Sequence, residues 1–251
     1  MGRLLAFVYG LIAYAVFFGT IVYAIIFVGN LNNFGVVEFP NLKTIDSGKV
    51  GPVGEAILVN VLLLAAFAVQ HTIMARPAFK ERWTKIVPRP IERSTFVLFS
   101  ALLLDLTFWQ WRRIEGDVWS VDQPAVRTVL WVLFGVGWVV VFYSTFLIDH
   151  FDLFGLRQVV LCFRGRPYTP LVFRTRGLYR FIRHPLQAGF IIAFWSAPTM
   201  TAGHLLFSVA TTAYIFIGVT LEERDLLNVL GEDYKHYRAQ TPMFLPLGKK
   251  G

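Results

Sequence analysis

The sequence is poor in charge and nearly devoid of cysteine. Only 16% of its 251 residues are Asp, Glu, Lys or Arg, against roughly 25% in an ordinary soluble domain, while 55% are hydrophobic. A core built from that much apolar surface would leave too few polar side chains to cover it. The same figures exclude a disordered chain. A single cysteine, Cys162, excludes a disulfide scaffold. The five histidines show no HxxxH or Cys-His spacing, so no metal or haem site is expected. Without an internal repeat, a low-complexity tract or a linker, the chain reads as one domain over 1–251.

Long apolar runs fill the space that charge leaves. Residues 4–28, 56–75, 94–111 and 128–148 are each long enough to cross a hydrocarbon core that needs about 20 helical residues. The first holds no charge, exceeds the h-region of a signal peptide and is not followed by a small-residue cleavage site, so it is expected to remain in the mature protein. After Pro185 the apolar character resumes, interrupted by Pro198 and Gly203. Residues 186–198 and 204–221 therefore read as a helical hairpin whose first arm is too short to span upright. The fold class expected is all-α: a polytopic integral membrane bundle of four full spans, a C-terminal hairpin and a cytoplasmic tail helix. Residues 1–148 form the bundle and 149–251 the part that carries chemistry.

The net charge is +8, but the basic residues sit in connectors between apolar runs, which points to a membrane surface and not to nucleic acid. Nineteen of the 24 Lys and Arg residues fall in alternate connectors (1–3, 76–93, 149–185 and 222–251). By the positive-inside rule these face the cytoplasm, with both termini, and the bilayer is the inner membrane.

Two of those connectors hold dense polar clusters. One runs from Asp149-His150-Phe151-Asp152 through Arg157-Gln158 to Gly177-Leu178-Tyr179 and Arg183-His184-Pro185; the other is Glu222-Glu223 with Gly231, Tyr234 and Tyr237. The hairpin between them must return its ends to one membrane face, which brings the clusters together. Arg183-His184-Pro185 alone is explained by a basic flank and a proline in the first turn of a helix. Glu222-Glu223 is harder to dismiss, because acids at a helix C-terminus oppose its macrodipole. Beside an anionic leaflet they point to a cationic or hydroxyl-rich partner.

Taken together, Gly177-Leu178-Tyr179, Arg183-His184-Pro185, Gly189, the hairpin, Glu222-Glu223 and Gly231-x-x-Tyr234-x-x-Tyr237 resemble the isoprenylcysteine carboxyl methyltransferase superfamily over about 177–245. With Asp149 to Gln158 and the preceding spans, the chain is similar to that superfamily's bacterial methanethiol S-methyltransferase branch, which makes dimethyl sulfide. In the superfamily these elements bind S-adenosylmethionine and the tail closes over it. One departure is Gln187, where the superfamily usually has tyrosine. The resemblance implies a donor site formed by Gln158, Tyr179, Arg183, His184, Pro185, Glu222, Glu223, Tyr234 and Tyr237.

Those residue types suit that donor. Carboxylates of Glu222 and Glu223 can accept from an ammonium or ribose hydroxyls, and the Arg183 fork can hold a carboxylate. The helix starting at Pro185 offers backbone donors. The tyrosines can stack on adenine or face a sulfonium. A thiol acceptor must lose its proton, and His150 is the first candidate base, oriented by Asp149 or Asp152. The two carboxylates can equally do no more than pair with Arg157. Phe142, Tyr143, Phe146, Phe151 and Phe154 beside it point to a small acceptor such as a volatile thiol. A prenyl-cysteine carboxylate or phospholipid amine as acceptor, or a non-enzymatic transporter or accessory protein, are the alternatives. Asp105, inside an apolar run, is expected to be structural, protonated or bonded to His71 or Gln70.

Overall fold

The computed structural model describes residues 2–31, 42–171 and 173–246. It is built of helices in the order α1 (Arg3–Val28), α2 (Val53–Ala75), α3 (Pro77–Trp83), α4 (Arg89–Gln110), α5 (Pro124–Ile148), α6 (His150–Leu153), α7 (Leu156–Phe163), α8 (Pro185–Trp195), α9 (Ala202–Leu230) and α10 (Glu232–Gln240), with a 3-10 turn at Gly177–Arg180. Proline opens α3, α5 and α8 and stands in the first turn of α4. Its fixed φ and missing N–H suit those positions alone in a helix. Two short strands that the sequence did not announce, β1 (Asp117–Ser120) and β2 (Thr199–Thr201), pair with each other.

Among the described residues four helices are long and apolar enough to cross a membrane: α1, α2, α5 and α9. The architecture is therefore the expected all-α polytopic bundle, with two differences in detail. The run at 94–111 lies in α4, which carries Arg89, Glu92, Arg93 and Asp105 and is the least apolar of the long helices. The second arm of the hairpin, by contrast, extends nine residues past 221 to make α9 a helix of 29 residues. At 1.5 Å per residue that is about 43 Å, longer than a hydrocarbon core of about 30 Å. Its last turns, with Glu222 and Glu223, can therefore stand clear of the hydrocarbon. The short arm, α8, has 11 residues, about 16 Å.

The described chain divides into two compact units that alternate along the sequence. The first draws on Met1–Gly116, His150–Leu171 and Thr201–His204, the second on Asp117–Asp149, Val172–Met200 and Leu205–Gly251.

In the first unit α4 packs on α1 and α2, and α7 packs on α1. Polar side chains inside these contacts find partners, as burial in an apolar setting demands. Tyr9 donates to Thr95 Oγ1 at 3.0 Å, and Ser100 to Gln70 Oε1 at 3.3 Å. Asn60, wholly buried, both donates to and accepts from the Arg112 backbone at 2.8 Å just past the end of α4. Asp105 accepts from Thr20 of α1 at 3.0 Å, a structural partner that was not among those expected. A loop glycine, Gly155, has φ +88° and lies so close to α4 that a Cβ there would come within 2.6 Å of Ser94 Oγ.

In the second unit α5 and α8 approach until their backbones touch. A Cβ on Gly137 would lie 2.7 Å from the Ala193 nitrogen, and one on Gly189 2.7 Å from the Gly137 carbonyl oxygen. Small residues at such crossings are how helices pack where no water drives them together. Trp138 fills the flank of the same contact, edge-on to Phe190 and Phe194. Beyond α8, the Val121 N–H donates to the Pro198 carbonyl and the Trp119 indole to Ala197, each at 3.0 Å. These bonds fix the turn of the hairpin against the start of α5.

Candidate functional site

The second unit holds eight of the nine residues expected at a donor site, one of them the buried carboxylate of Glu223. Glu223, 3% exposed, accepts from Arg183 Nε at 2.6 Å and lies 3.0 Å from His184 Nε2 through the same oxygen, Oε1. Its other oxygen faces Arg238 Nε at 3.3 Å. A buried charge needs such partners, and three cationic or polar groups supply them. Glu222, one residue earlier on α9, points elsewhere because successive helical side chains diverge by about 100°. It is 48% exposed, with His184 Nδ1 at 4.0 Å and Gln187 Nε2 at 3.5 Å. His184 thus stands between both glutamates.

The two glutamates are not at a helix terminus. Because α9 continues to Leu230, they lie two turns before its end, beyond the reach of the terminal partial charge. The helix stops at Gly231, whose φ of +59° suits glycine, and α10 begins at once. Leu226, Leu227 and Leu230 therefore belong to α9, and Tyr234 and Tyr237 to α10.

The tail returns to the Arg183-His184 step. Backbone N–H groups of Arg183 and His184 donate to the carbonyls of Pro242 and Met243 at 2.9 and 3.1 Å. The Arg183 Nη1 donates to the carbonyls of Arg238, at 3.2 Å, and Thr241. Phe244 then packs against His184 and Phe216. The Arg183 guanidinium, 8% exposed, is engaged inside the protein with Glu223 and the tail.

Three tyrosines complete this group. Tyr237 donates to the Tyr179 carbonyl at 2.6 Å, tying α10 to the 3-10 turn. Burial, with Glu223 adding to it against the pull of Arg183, pushes the Tyr237 hydroxyl up to about 12, so it remains a donor. Burial also holds Tyr179 well above the ordinary tyrosine value, helped by Glu222 and Tyr237. Tyr234 is raised in the same way, by burial and then by Glu223. Tyr234 is only 2% exposed, and its hydroxyl has no hydrogen-bond partner among the described residues. Buried hydroxyls are otherwise paired. A buried hydroxyl without a protein partner and a half-exposed carboxylate beside an amide fit a ligand with hydroxyl and ammonium groups.

The remaining expected residues lie elsewhere. Asp149 caps α5 with φ +144°, a strained value for a residue with a side chain. His150, Asp152 and Gln158 belong to the first unit. His150 is 4% exposed, with Nε2 2.7 Å from the Tyr14 hydroxyl. Asp152 accepts from Arg157 at 2.8 Å and from Tyr168 at 3.2 Å. Gln158 donates to the Asp152 carbonyl at 3.0 Å, and its buried Oε1 has no partner among the described residues.

Sequence reading missed Arg238, Tyr14 and the inward role of Arg183. Arg238 had a signal, since it directly follows the tyrosine pair on α10. Tyr14 had a weaker one: a phenol placed well inside an uncharged run must find a polar partner.

A family model described as "NnrU protein" matches residues 59–231. A Mycobacterium tuberculosis protein named methanethiol S-methyltransferase is 50% identical over 98% of both chains. Methanethiol S-methyltransferase 1 of Bradyrhizobium diazoefficiens is 51% identical over 97% of this chain and 83% of its own. The methanethiol S-methyltransferase of Crocosphaera subtropica is 46% identical over the whole of this chain and 95% of its own. No solved structure matches. The chain belongs to the NnrU family and, within it, to the bacterial proteins named methanethiol S-methyltransferases.

Proposed function

We propose that this membrane protein methylates methanethiol with S-adenosylmethionine and releases dimethyl sulfide. The observation that carries the reading is near-full-length identity of about half to proteins of that name, and the Glu222–His184–Glu223 cluster is in keeping with it. When bound, the sulfonium donor supplies the methyl group: its S–CH3 bond breaks with the electron pair on the donor sulfur as the thiol sulfur forms the new bond.

The chain's own residues have three tasks in this account. Glu222, Tyr179 and Tyr234 hold the polar parts of the donor, with the start of α8 at Pro185 as a further contact. Arg183, His184, Glu223 and Tyr237 keep the tail docked so that water is excluded. His150 takes the thiol proton and passes it to solvent; a simple thiol ionises near 8.5 or above, so at neutral pH a base raises the thiolate fraction. Asp149 and Asp152 set the charge around it. The whole chain works as one methyltransferase domain, and the site opens to the cytoplasm from the inner membrane with both termini on that side.

Calorimetry on the purified protein in detergent tests the donor site. Micromolar binding of S-adenosylmethionine that weakens at least tenfold in Glu222→Gln is the expected result. No binding of the donor by a folded sample would overturn the reading.

A further inference from the structure

We infer that Tyr14, in the middle of α1, is a positioning residue for His150: its hydroxyl fixes the tautomer of the imidazole and stabilises the charge that forms when the ring takes the thiol proton. The inference rests on the reading of His150 as the base. The two residues are 136 positions apart in sequence, yet Tyr14 Oη and His150 Nε2 stand 2.7 Å apart, and the imidazole is 4% exposed. Aromatic edges hold the ring in place. Phe154 and Phe151 lie at 4.9 and 5.4 Å centroid distance, and Phe154 itself stacks on Phe17 of α1 at 4.0 Å. In so apolar a collar a hydrogen bond gains strength and an imidazolium without one would be costly.

The bond gives Tyr14 this task when Nε2–H donates to the Tyr14 oxygen. The S–H proton then goes to the other ring nitrogen, and the Nε2–H···O bond becomes charge-assisted and stronger. The thiol becomes thiolate, the imidazole becomes imidazolium, and the proton later leaves to water. Charged groups stand on the neighbouring elements. Asp152 holds Arg157 of α7 and Tyr168, and Arg93 of α4 donates to the Leu153 carbonyl at 2.6 Å. Asp149, at the end of α5, precedes the histidine directly.

The test compares Tyr14→Phe, His150→Ala and the double variant in purified full-length protein, following dimethyl sulfide formation from pH 6.5 to 9.5, with thermal unfolding as the check on folding. Tyr14→Phe is expected to lower kcat about tenfold at pH 7, as for one lost charge-assisted hydrogen bond. The donor KM should stay unchanged, and the deficit should shrink toward pH 9.5 as the thiol ionises unaided. The double variant should be no slower than His150→Ala, because the two act as a unit. A wild-type rate in Tyr14→Phe beside a slow His150→Ala would overturn the positioning role alone. A wild-type rate in His150→Ala would remove the base and Tyr14 with it. A loss in Tyr14→Phe that is constant with pH and additive to that of His150→Ala would show a packing effect and overturn the inference.

Discussion

Arg183 and Glu223, 40 residues apart in sequence, meet at 2.6 Å with both side chains at least nine-tenths buried, and the same guanidinium holds the carbonyls of Arg238 and Thr241. One ion pair therefore joins the start of α8, the emerging end of α9 and the tail. Glu223 is the structural node of the cluster, and Glu222, half exposed beside it, is the group that can meet a ligand.

That division is testable by swapping one oxygen at each position. Glu223→Gln leaves Arg183 and Arg238 without their carboxylate, and breaking a buried ion pair costs about 3–5 kcal/mol. A clear fall in the thermal unfolding midpoint and increased proteolysis of the tail are expected. Glu222→Gln should lose donor affinity while keeping the midpoint within a few degrees. The reverse pattern, with Glu222 structural and Glu223 silent in unfolding, would contradict the assignment.

Tyr237 supports a narrower prediction. Removing its hydroxyl deletes the bond to the Tyr179 carbonyl, worth about 0.5–1.5 kcal/mol, so Tyr237→Phe should modestly raise tail mobility and the donor Kd. The pH dependence has a definite sign. An unfolded tyrosine ionises near 10 and Tyr237 in the fold near 12. Its contribution is therefore intact below pH 10 and lost as pH climbs from 10 toward 12. Alkaline unfolding followed in both proteins should show a smaller drop over that window in Tyr237→Phe. An identical drop in both would mean the phenol is not protected.

The α5–α8 contact predicts intolerance to a single methyl group. At Gly189 a Cβ would press on the Gly137 carbonyl and the Val141 nitrogen, at 2.7 and 2.9 Å, and backbone cannot swing aside as a flexible side chain would. Gly189→Ala is expected to cost about 1–3 kcal/mol and to disturb the donor site at the head of α8. Unfolding in detergent measures it; wild-type stability would show that the helices can part at no cost.

Much of this was legible in residues. Pro185 marked the start of α8, and the hairpin forced Arg183-His184 and Glu222-Glu223 to the same end, where the structure joins them. The sequence could not say which glutamate faces inward, because adjacent helical residues differ by a rotation that only packing fixes. The length of α9 was hidden for a related reason: Arg224 and Asp225 break the apolar run, but Leu226, Leu227 and Leu230 carry the helix on to Gly231. The Tyr14–His150 bond links residues 136 apart, a separation at which no periodicity carries information. The β1–β2 pair is too short for alternation to reveal.

Truncation separates the tail's role from that of the spans. Removing residues 232–251 deletes α10 and the carbonyls that clasp Arg183-His184. Insertion into membranes should persist, with donor binding and activity lost. Full activity without the tail would show that its docking serves neither.

The central claim is most directly tested by gas analysis of the headspace over purified protein supplied with S-adenosylmethionine and methanethiol. Dimethyl sulfide forming one-for-one with consumption of the donor, and absent when either substrate is left out, is the predicted result. Donor consumption with the methyl group recovered in added prenyl-cysteine or phospholipid, and no dimethyl sulfide in the gas phase, would contradict it.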